Sequence, residues 1–352
     1  DLRMSRGLGD VYKRQAFLYG CSNDEDTISG LDIVSVKLDF PAQGGEGYIQ
    51  FQSLGEDAVV KLNEDWCMIK ETTADKIILQ VAGNYDYIGR NAILTVTTGL
   101  DEKSFNINQA GAVFAHNEDE WLIRASNSAG RFPLSLYGSY ECIVDIPVEA
   151  QEWLSFEPST DDKGGAFVVK ENTSGTWRAT NVHVTSGDRF TDYQIIQYDL
   201  NELMLGSWNM LFTDVNLGSA QFPEVEITKN ADGTYTLSNL VPGSPYTLKA
   251  TAVDNCLSFP AGQLVGSFTD EVGTAFVAFR LISADMMFVS DPNVSISLGP
   301  VYSADGTLML TFGRVRSNDP IAFTLSLYED EALTVYSDEL LTFLNCMMYK
   351  TK

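Results

Sequence analysis

From Leu31 onward, short stretches of the chain alternate apolar and polar residues with a period of two. The segments "GYIQFQS" (47–53) and "NAILTVTT" (91–98) have this pattern, and clusters of Gly, Asn and Asp separate such segments. Alternating side chains lie on opposite faces of a β-strand, and the separating residues favour turns. Because no stretch has a long period of 3.6, the pattern predicts an all-β chain.

An internal repeat relates residues 31–112 to residues 113–200. Four residues recur in the same order in both copies, namely Trp66, Asn84, Arg90 and Gln109, and then Trp153, Asn172, Arg178 and Gln197. Asn precedes Arg by six residues, and Arg precedes Gln by 19, in each copy. The repeat predicts tandem Ig-like β-sandwiches, each with a Trp buried between its sheets. We expect each Arg to pack its stem while its head group stays in water.

The first copy resembles the BACON domain (Bacteroidetes-associated carbohydrate-binding, often N-terminal). The resemblance rests on Trp66, Asn84, Arg90, Ala92, Leu94, Val96, Gln109 and Gly111. The second copy departs from the pattern at its end, where "QYD" replaces "QAG". The resemblance implies a carbohydrate-binding module or a spacer that holds other modules away from the cell surface.

Residues 201–352 have a different pattern, with seven or eight antiparallel strands expected. Asp232-Gly233 and Asp305-Gly306 predict hairpin turns. The segment Gly206-Ser207-Trp208 resembles the G-x-W that opens lipocalin-like barrels, in which the Trp closes one end. We therefore expect an antiparallel β-barrel whose mouth holds a small ligand, with a plain β-sandwich as the alternative.

The residues before the first strand resemble a targeting signal. Residues 1–15 resemble translated sequencing-adapter text and are set aside, although a natural N-terminus without structure is the alternative. In residues 16–30, "LYGC" resembles a bacterial lipobox with Cys21 as the lipidated residue, and "SNDED" resembles the acidic export tag of Bacteroidetes lipoproteins. The resemblance implies a lipid anchor in the outer membrane at the cell surface. An unmodified Cys in a loop is the alternative.

Charge and composition restrict the partners. The net charge is −25, which disfavours nucleic acid and anionic lipid surfaces as partners. Hydrophobic residues make up 44% of the chain, enough for packed cores. No stretch reaches eighteen consecutive apolar residues, so the sequence predicts no transmembrane helix.

Catalytic, metal and cofactor motifs are not found. The chain has two histidines, His116 and His183, and five cysteines without a CxxC pair. We predict no enzyme activity, no metal and no cofactor. Glycosidase chemistry stays open because it needs only two carboxylates. A Cys256–Cys346 disulfide also stays open.

Three aromatic residues in predicted loops are candidates for glycan contact. Tyr85 and Tyr87 precede the Arg of the first copy, and Trp177 precedes that of the second. Since the first copy has Gly89 at the position of Trp177, we expect Trp177 to be the more exposed ring. The sequence thus predicts a surface lipoprotein that binds a polysaccharide or mucin glycan. The alternatives are rings that only cover the sandwich edge, and a spacer or adhesin whose barrel binds a protein or small apolar ligand.

Overall fold

The computed structural model describes residues 31–99, 101–160, 164–303, 305–313 and 319–350. Of these, residues 31–83 and 90–110 form one compact unit, and the remainder, including loop 84–89, forms a second. The chain is all-β, with sandwiches followed by a closed barrel, so the predicted fold class is confirmed. Cys21 and the acidic segment lie outside the described residues.

The first unit is a sandwich of two four-stranded sheets, with strand orders β1-β3-β6-β5 and β2-β8-β7-β4. Its strands are β1 (Ile33–Lys37), β2 (Asp39–Phe40), β3 (Gly45–Phe51), β4 (Val59–Leu62), β5 (Cys67–Thr72), β6 (Lys76–Val81), β7 (Arg90–Thr98) and β8 (Asp101–Gln109). Neighbours run antiparallel except β2 and β8, which run parallel. The alternating apolar residues of "GYIQFQS" and "NAILTVTT" point into the core between the sheets, as the period of two predicts.

A second sandwich opens the second unit and has the same strand order and directions, β9-β11-β14-β13 and β10-β16-β15-β12. Its strands are β9 (Phe114–His116), β10 (Leu122–Ala125), β11 (Gly130–Gly138), β12 (Cys142–Asp145), β13 (Leu154–Pro158), β14 (Gly164–Val169), β15 (Arg178–Ser186) and β16 (Arg189–Gln197). Short 3₁₀ turns occupy Glu118–Glu120 and Val148–Ala150. Here β10 and β16 form the parallel pair.

Helix α1 (Leu200–Met204) leads from this sandwich into twelve further strands. They are β17 (Gly206–Asp214), β18 (Gly218–Lys229), β19 (Tyr235–Ser238), β20 (Thr247–Val253), β21 (Cys256–Pro260), β22 (Gln263–Thr269), β23 (Thr274–Ile282), β24 (Phe288–Val289), β25 (Ser295–Tyr302), β26 (Leu308–Phe312), β27 (Ala322–Tyr328) and β28 (Tyr336–Tyr349). The predicted seven or eight strands are thus too few; β21, β22, β24, β25 and β28 were not anticipated.

Eight of these strands close a barrel in the order β17-β18-β19-β20-β21-β25-β26-β28, with β28 pairing back to β17. The first half of β28 lies outside the barrel and pairs with β27. Together with β23 and β22, these strands form an outer sheet. Trp208 is buried at the start of β17, and its indole N–H donates to the carbonyl of Met204 in α1 (2.9 Å).

Interlocking aromatic rings pack the core of this part of the chain. Phe343 lies 4.4 Å from Phe212 and 4.5 Å from Phe323, measured between ring centroids, and Phe323 lies 4.9 Å from Phe312. Both predicted Asp-Gly turns form hairpins, with Gly233 and Gly306 at φ values of 85° and 84°. In the first of these turns, the Asp232 carboxylate accepts from the backbone N–H and the hydroxyl of Thr234.

Within the described part of the chain, neither a helix long and apolar enough to cross a membrane nor a metal-holding group of His, Cys, Asp and Glu is found. The thiols of Cys256 and Cys346 are buried and free, so the structure does not contain the disulfide left open above. Burial raises the pKa of both thiols.

Candidate functional site

The repeated Trp, Arg and Gln of the first sandwich form one cluster. The Arg90 guanidinium lies 4.4 Å over the Trp66 ring, and its Nε donates to Gln109 Oε1 at 2.8 Å. Gln109 is buried, and its amide donates to the carbonyls of Ala82 (2.7 Å) and Ala42 (3.0 Å). The head group expected in water instead lies between an aromatic ring and a buried amide, where it fixes the ends of β7 and β8.

The second sandwich repeats this cluster. Arg178 lies 4.6 Å over Trp153 and donates to Gln197 Oε1 at 2.7 Å, while Gln197 donates to the carbonyl of Lys170 at 2.9 Å. Desolvation lowers the pKa of the Arg178 guanidinium. Since these contacts join strands to each other, the repeated Trp, Arg and Gln residues stabilise the fold rather than presenting groups to a ligand.

The repeated Asn residues shape the loops that carry the candidate rings. Asn84 donates to the carbonyl of Ile88 (3.0 Å) and accepts from the backbone N–H of Asp86 (3.2 Å). Asn172 makes the equivalent bonds with Thr176 and Ser174 (2.7 and 3.1 Å). Buried Asn side chains therefore hold both loops in one shape and set the positions of the aromatic residues on them.

Loop 84–89 packs within the second unit, and both of its tyrosines remain about half exposed. Tyr85 stacks on Tyr140 with 4.8 Å between ring centroids and 10° between ring planes, and the Tyr140 hydroxyl donates to the Asn84 carbonyl at 3.1 Å. Tyr87 lies 4.2 Å beneath the Arg189 guanidinium, whose Nη2 donates to the Tyr85 carbonyl at 3.4 Å. Contacts on one face thus hold each ring in place.

Trp177 does not join these tyrosines. It directly precedes β15, whereas Gly187, which touches the tyrosine pair, directly follows this strand. The nine residues of β15 separate the two positions by roughly 30 Å at ~3.3 Å per residue. Trp177 is also the least exposed of the three candidates, at 38%, because its ring meets the ring of Tyr302 (5.9 Å). The expectation that Trp177 would be the most exposed ring is therefore not met.

An open cleft of about 410 Å³ lies beside the tyrosine pair. We call it the tyrosine cleft; its lining residues are Tyr85, Tyr140, Glu141, Ile143, Thr185, Gly187 and Asp188. Gly187 has a φ of 64°, and a Cβ added to it would lie 3.0 Å from Tyr140 and 3.2 Å from Tyr85. A larger residue would therefore displace both rings.

The cleft combines an apolar wall with hydrogen-bonding groups. The two tyrosine rings and the exposed side chain of Ile143 supply the apolar surface, and Glu141 and Asp188 supply carboxylates. The nearby cation, Arg189, is already engaged by the Tyr87 ring and by Asp188 (3.5 Å). This arrangement suits a ligand that has apolar faces and donates hydrogen bonds but carries no negative charge.

Neither histidine contributes to the cleft. His183 lies on β15 with its Nδ1 2.7 Å from Asp192, and His116 packs against Phe114. Tyr193 is buried beneath the same sheet, and desolvation raises its pKa to about 12, so it stays protonated. The sequence offered no signal for Tyr140 or Arg189, because only the folded chain brings these two residues, which are 49 positions apart, to loop 84–89.

The fold and the cleft together describe a β-sandwich and barrel protein with an aromatic surface site. Residues 56–110 match the sequence model of the BACON family, described as "Putative binding domain, N-terminal". This segment contains Trp66, Arg90 and Gln109, together with Tyr85 and Tyr87. The segment of the chain that matches the BACON family model therefore covers most of the first sandwich.

Similar solved structures share little sequence with the chain. An endo-fucoidan hydrolase of glycoside hydrolase family 107 is 11% identical, with a TM-score of 0.23, over 49% of this chain and 29% of the hydrolase. A tandem from titin is 8% identical, with a TM-score of 0.34, over 80% of this chain and 94% of that one. The chain thus spans less than a third of the hydrolase's length. Among curated proteins, none matches the chain.

Proposed function

We propose that the chain is a non-enzymatic lipoprotein of the bacterial cell surface that binds neutral carbohydrate, from a polysaccharide or a mucin glycan, in the tyrosine cleft. The observation that carries the proposal is the parallel Tyr85–Tyr140 pair beside the carboxylates of Glu141 and Asp188. The match of residues 56–110 to a family described as a binding domain supports it.

The chemistry of sugars fits this cleft. A pyranose ring has apolar C–H faces that stack on a flat aromatic ring, and hydroxyl groups that donate to carboxylates. A ring already fixed by its neighbours loses little conformational freedom when a ligand stacks on it. Tyr140 holds Tyr85 in this way, so the site is formed before the ligand arrives.

A glycan-binding screen followed by calorimetry on the intact chain tests the cleft. Tyr85→Ala removes the exposed ring, and we expect at least a tenfold loss of affinity with a melting temperature within a few degrees of wild type. Tyr137→Ala is the matched control, because Tyr137 is an equally exposed tyrosine of the same unit that lies outside the cleft. Unchanged affinity in Tyr85→Ala would remove the cleft from consideration.

The same experiment tests Trp177 as the alternative site. Trp177 lies at the far end of β15, so Trp177→Ala should leave affinity unchanged if the tyrosine cleft is the site. Loss of binding in Trp177→Ala, with Tyr85→Ala unaffected, would place the site at the other end of the strand.

Charge gives a further readout of the same site. Because the two carboxylates, Glu141 and Asp188, outnumber the neighbouring cation Arg189 and leave a net negative charge, a neutral oligosaccharide should bind at least fivefold more tightly than its sulfated counterpart at low salt. Affinity for the neutral ligand should hardly change with salt, since no charge pairing is involved. Equal affinity for the sulfated ligand would contradict this assignment.

The lipid anchor is tested separately. Expressed behind a full signal peptide in a related bacterium, the wild-type chain should incorporate labelled fatty acid and Cys21→Ala should not. Several acyl chains are needed for stable anchoring, so the variant should also be released from the membrane fraction. Equal labelling of the two proteins would exclude Cys21 as the acceptor.

A further inference from the structure

The outer sheet beside the barrel has two very different faces. One face, with Val277, Phe279, Phe323 and Leu325, belongs to the main hydrophobic core. On the opposite face, strand pairing places Arg280 beside Thr324, and Ser326 beside Glu339. These polar residues alternate with the core residues, so they point away from the core.

This polar group is buried although it does not face the core. Thr324 and Ser326 are fully buried, and the side chains of Arg280 and Glu339 are only 15% and 20% exposed. The Glu339 carboxylate accepts from Arg280 Nη1 at 3.1 Å and from the hydroxyls of Thr324 and Ser326. The guanidinium is therefore held in one orientation and its charge is balanced.

Two aromatic rings flank the guanidinium. Arg280 lies 4.3 Å from the centre of the Phe288 ring and 5.5 Å from that of Tyr336, and both rings are about half exposed. Tyr328 meets Tyr336 edge to face at 5.9 Å and restricts it further. Only 15% of the Arg280 side chain stays exposed, and its Nε is buried. The guanidinium thus lies in one orientation beside two fixed, half-exposed rings.

We propose that this group, the Arg280 cluster (Arg280, Phe288, Thr324, Ser326, Tyr336 and Glu339), is a second contact site for neutral saccharide, separate from the tyrosine cleft. The C–H faces of a sugar stack on Phe288 and Tyr336, and a sugar hydroxyl accepts from the part of the Arg280 guanidinium that stays exposed. Glu339 balances the guanidinium, so the cluster does not require an anionic ligand. Taking an ion pair out of water costs solvation free energy. Polar side chains on an outer face with no further role would avoid that cost by staying solvated.

Methionine methyl NMR of the intact chain gives a readout specific to this site. Met286 and Met287 are exposed and directly precede Phe288, whereas the exposed Met68 lies in the first sandwich. The probe is a set of neutral oligosaccharides of glucose, mannose, galactose and xylose. The experiment uses Tyr85→Ala, which removes the tyrosine cleft. We expect at least one oligosaccharide to shift the Met286 and Met287 methyl signals, while Met68 stays unchanged.

Adding Tyr336→Ala to this background should abolish the shifts or weaken the affinity at least tenfold, and adding Phe190→Ala, an exposed ring elsewhere, should change neither. Melting curves confirm that each variant folds, and Tyr336→Phe, which keeps the ring, should retain binding. If no oligosaccharide shifts these methyl signals, or if Tyr336→Ala retains the shifts, the second site is overturned. Binding lost in Tyr85→Ala alone would then leave the tyrosine cleft as the one saccharide site supported.

Discussion

At the scale of single residues, the two repeated tryptophans differ in burial. Trp153 is buried, whereas Trp66 is partly buried against its core. Loss of a large buried ring costs about 3–5 kcal/mol, so Trp153→Ala should lower the free energy of unfolding by that amount and Trp66→Ala by less. Chemical denaturation of the intact chain measures both effects.

Trp121→Ala is the control for that pair. Trp121 is 39% exposed, in the same sandwich as Trp153, so its loss should cost no more than about 1 kcal/mol. An equally large effect at Trp121 and Trp153 would show that burial does not set the cost. Comparing Trp121→Ala with Trp153→Ala thus separates the role of the buried Trp153 from the general effect of removing an indole ring.

Residue spacing predicted the Arg–Gln pairs of the two sandwiches but not the candidate site. The constant interval of 19 residues between Arg and Gln reflects two nine-residue strands that meet across a hairpin, so that Arg90 pairs with Gln109 and Arg178 with Gln197. The stacking partners of the candidate rings could not be predicted in the same way. Tyr140 is 55 residues from Tyr85 in sequence, and no local pattern links them.

At the scale of secondary-structure elements, alternation did not reveal β28, the strand that serves both the barrel and the outer sheet. β28 runs first in the outer sheet and then in the barrel, with a shift of register near Asn345, which has a φ of 50°. A bulge of this kind changes which face each side chain occupies. The alternation in "LLTFLNCMMY" is interrupted for that reason, and β28 escaped prediction.

Hydrogen-bonded aspartates in the turns between strands predict how the stability of the protein depends on pH. Asp330 accepts from the hydroxyl of Thr334 (2.6 Å) and from the backbone N–H groups of Thr334 and Val335, and these bonds lower its pKa below the ordinary 3.8. Asp57, Asp232 and Asp305 have lowered pKa values for similar reasons. A lowered folded-state pKa gives stability above the ordinary pKa that is lost as the pH falls through the folded value.

We therefore expect the free energy of unfolding to decline as the pH falls below about 4. Urea denaturation at a series of pH values measures the decline. Because Asn does not titrate, replacing the four turn aspartates with Asn should flatten the curve below this pH. A decline as steep in the quadruple variant as in wild type would assign acid sensitivity to other carboxylates.

At the scale of the whole molecule, the second sandwich and the barrel are joined by specific contacts. The Gln194 side chain accepts from the backbone N–H of Tyr302 (2.7 Å) and donates to its carbonyl. Arg124 donates to the carbonyl of Pro300 (2.9 Å), and Asn255 donates to that of Ala125 (3.0 Å). These bonds satisfy backbone groups of one part with side chains of the other.

Native-state hydrogen exchange should therefore show residues 113–200 and 201–350 opening together. Gln194→Ala breaks two of the bonds, and we expect it to let the two parts open at different free energies. Gln221→Ala, which removes a surface contact within the barrel, is the control. Separate opening in the wild-type chain would contradict this coupling.

The parallel pairing of β2 with β8 and of β10 with β16 has a mechanical consequence. Each pair joins a strand near the start of a sandwich to its last strand, so tension along the chain loads the hydrogen bonds in shear, all at once. The second pair has four matched residues and the first has two. In a chain tethered at one end and pulled at the other, the first sandwich should rupture at the lower force. Single-molecule pulling would then record a weak extension event before a strong one, which would make the first sandwich a sacrificial link.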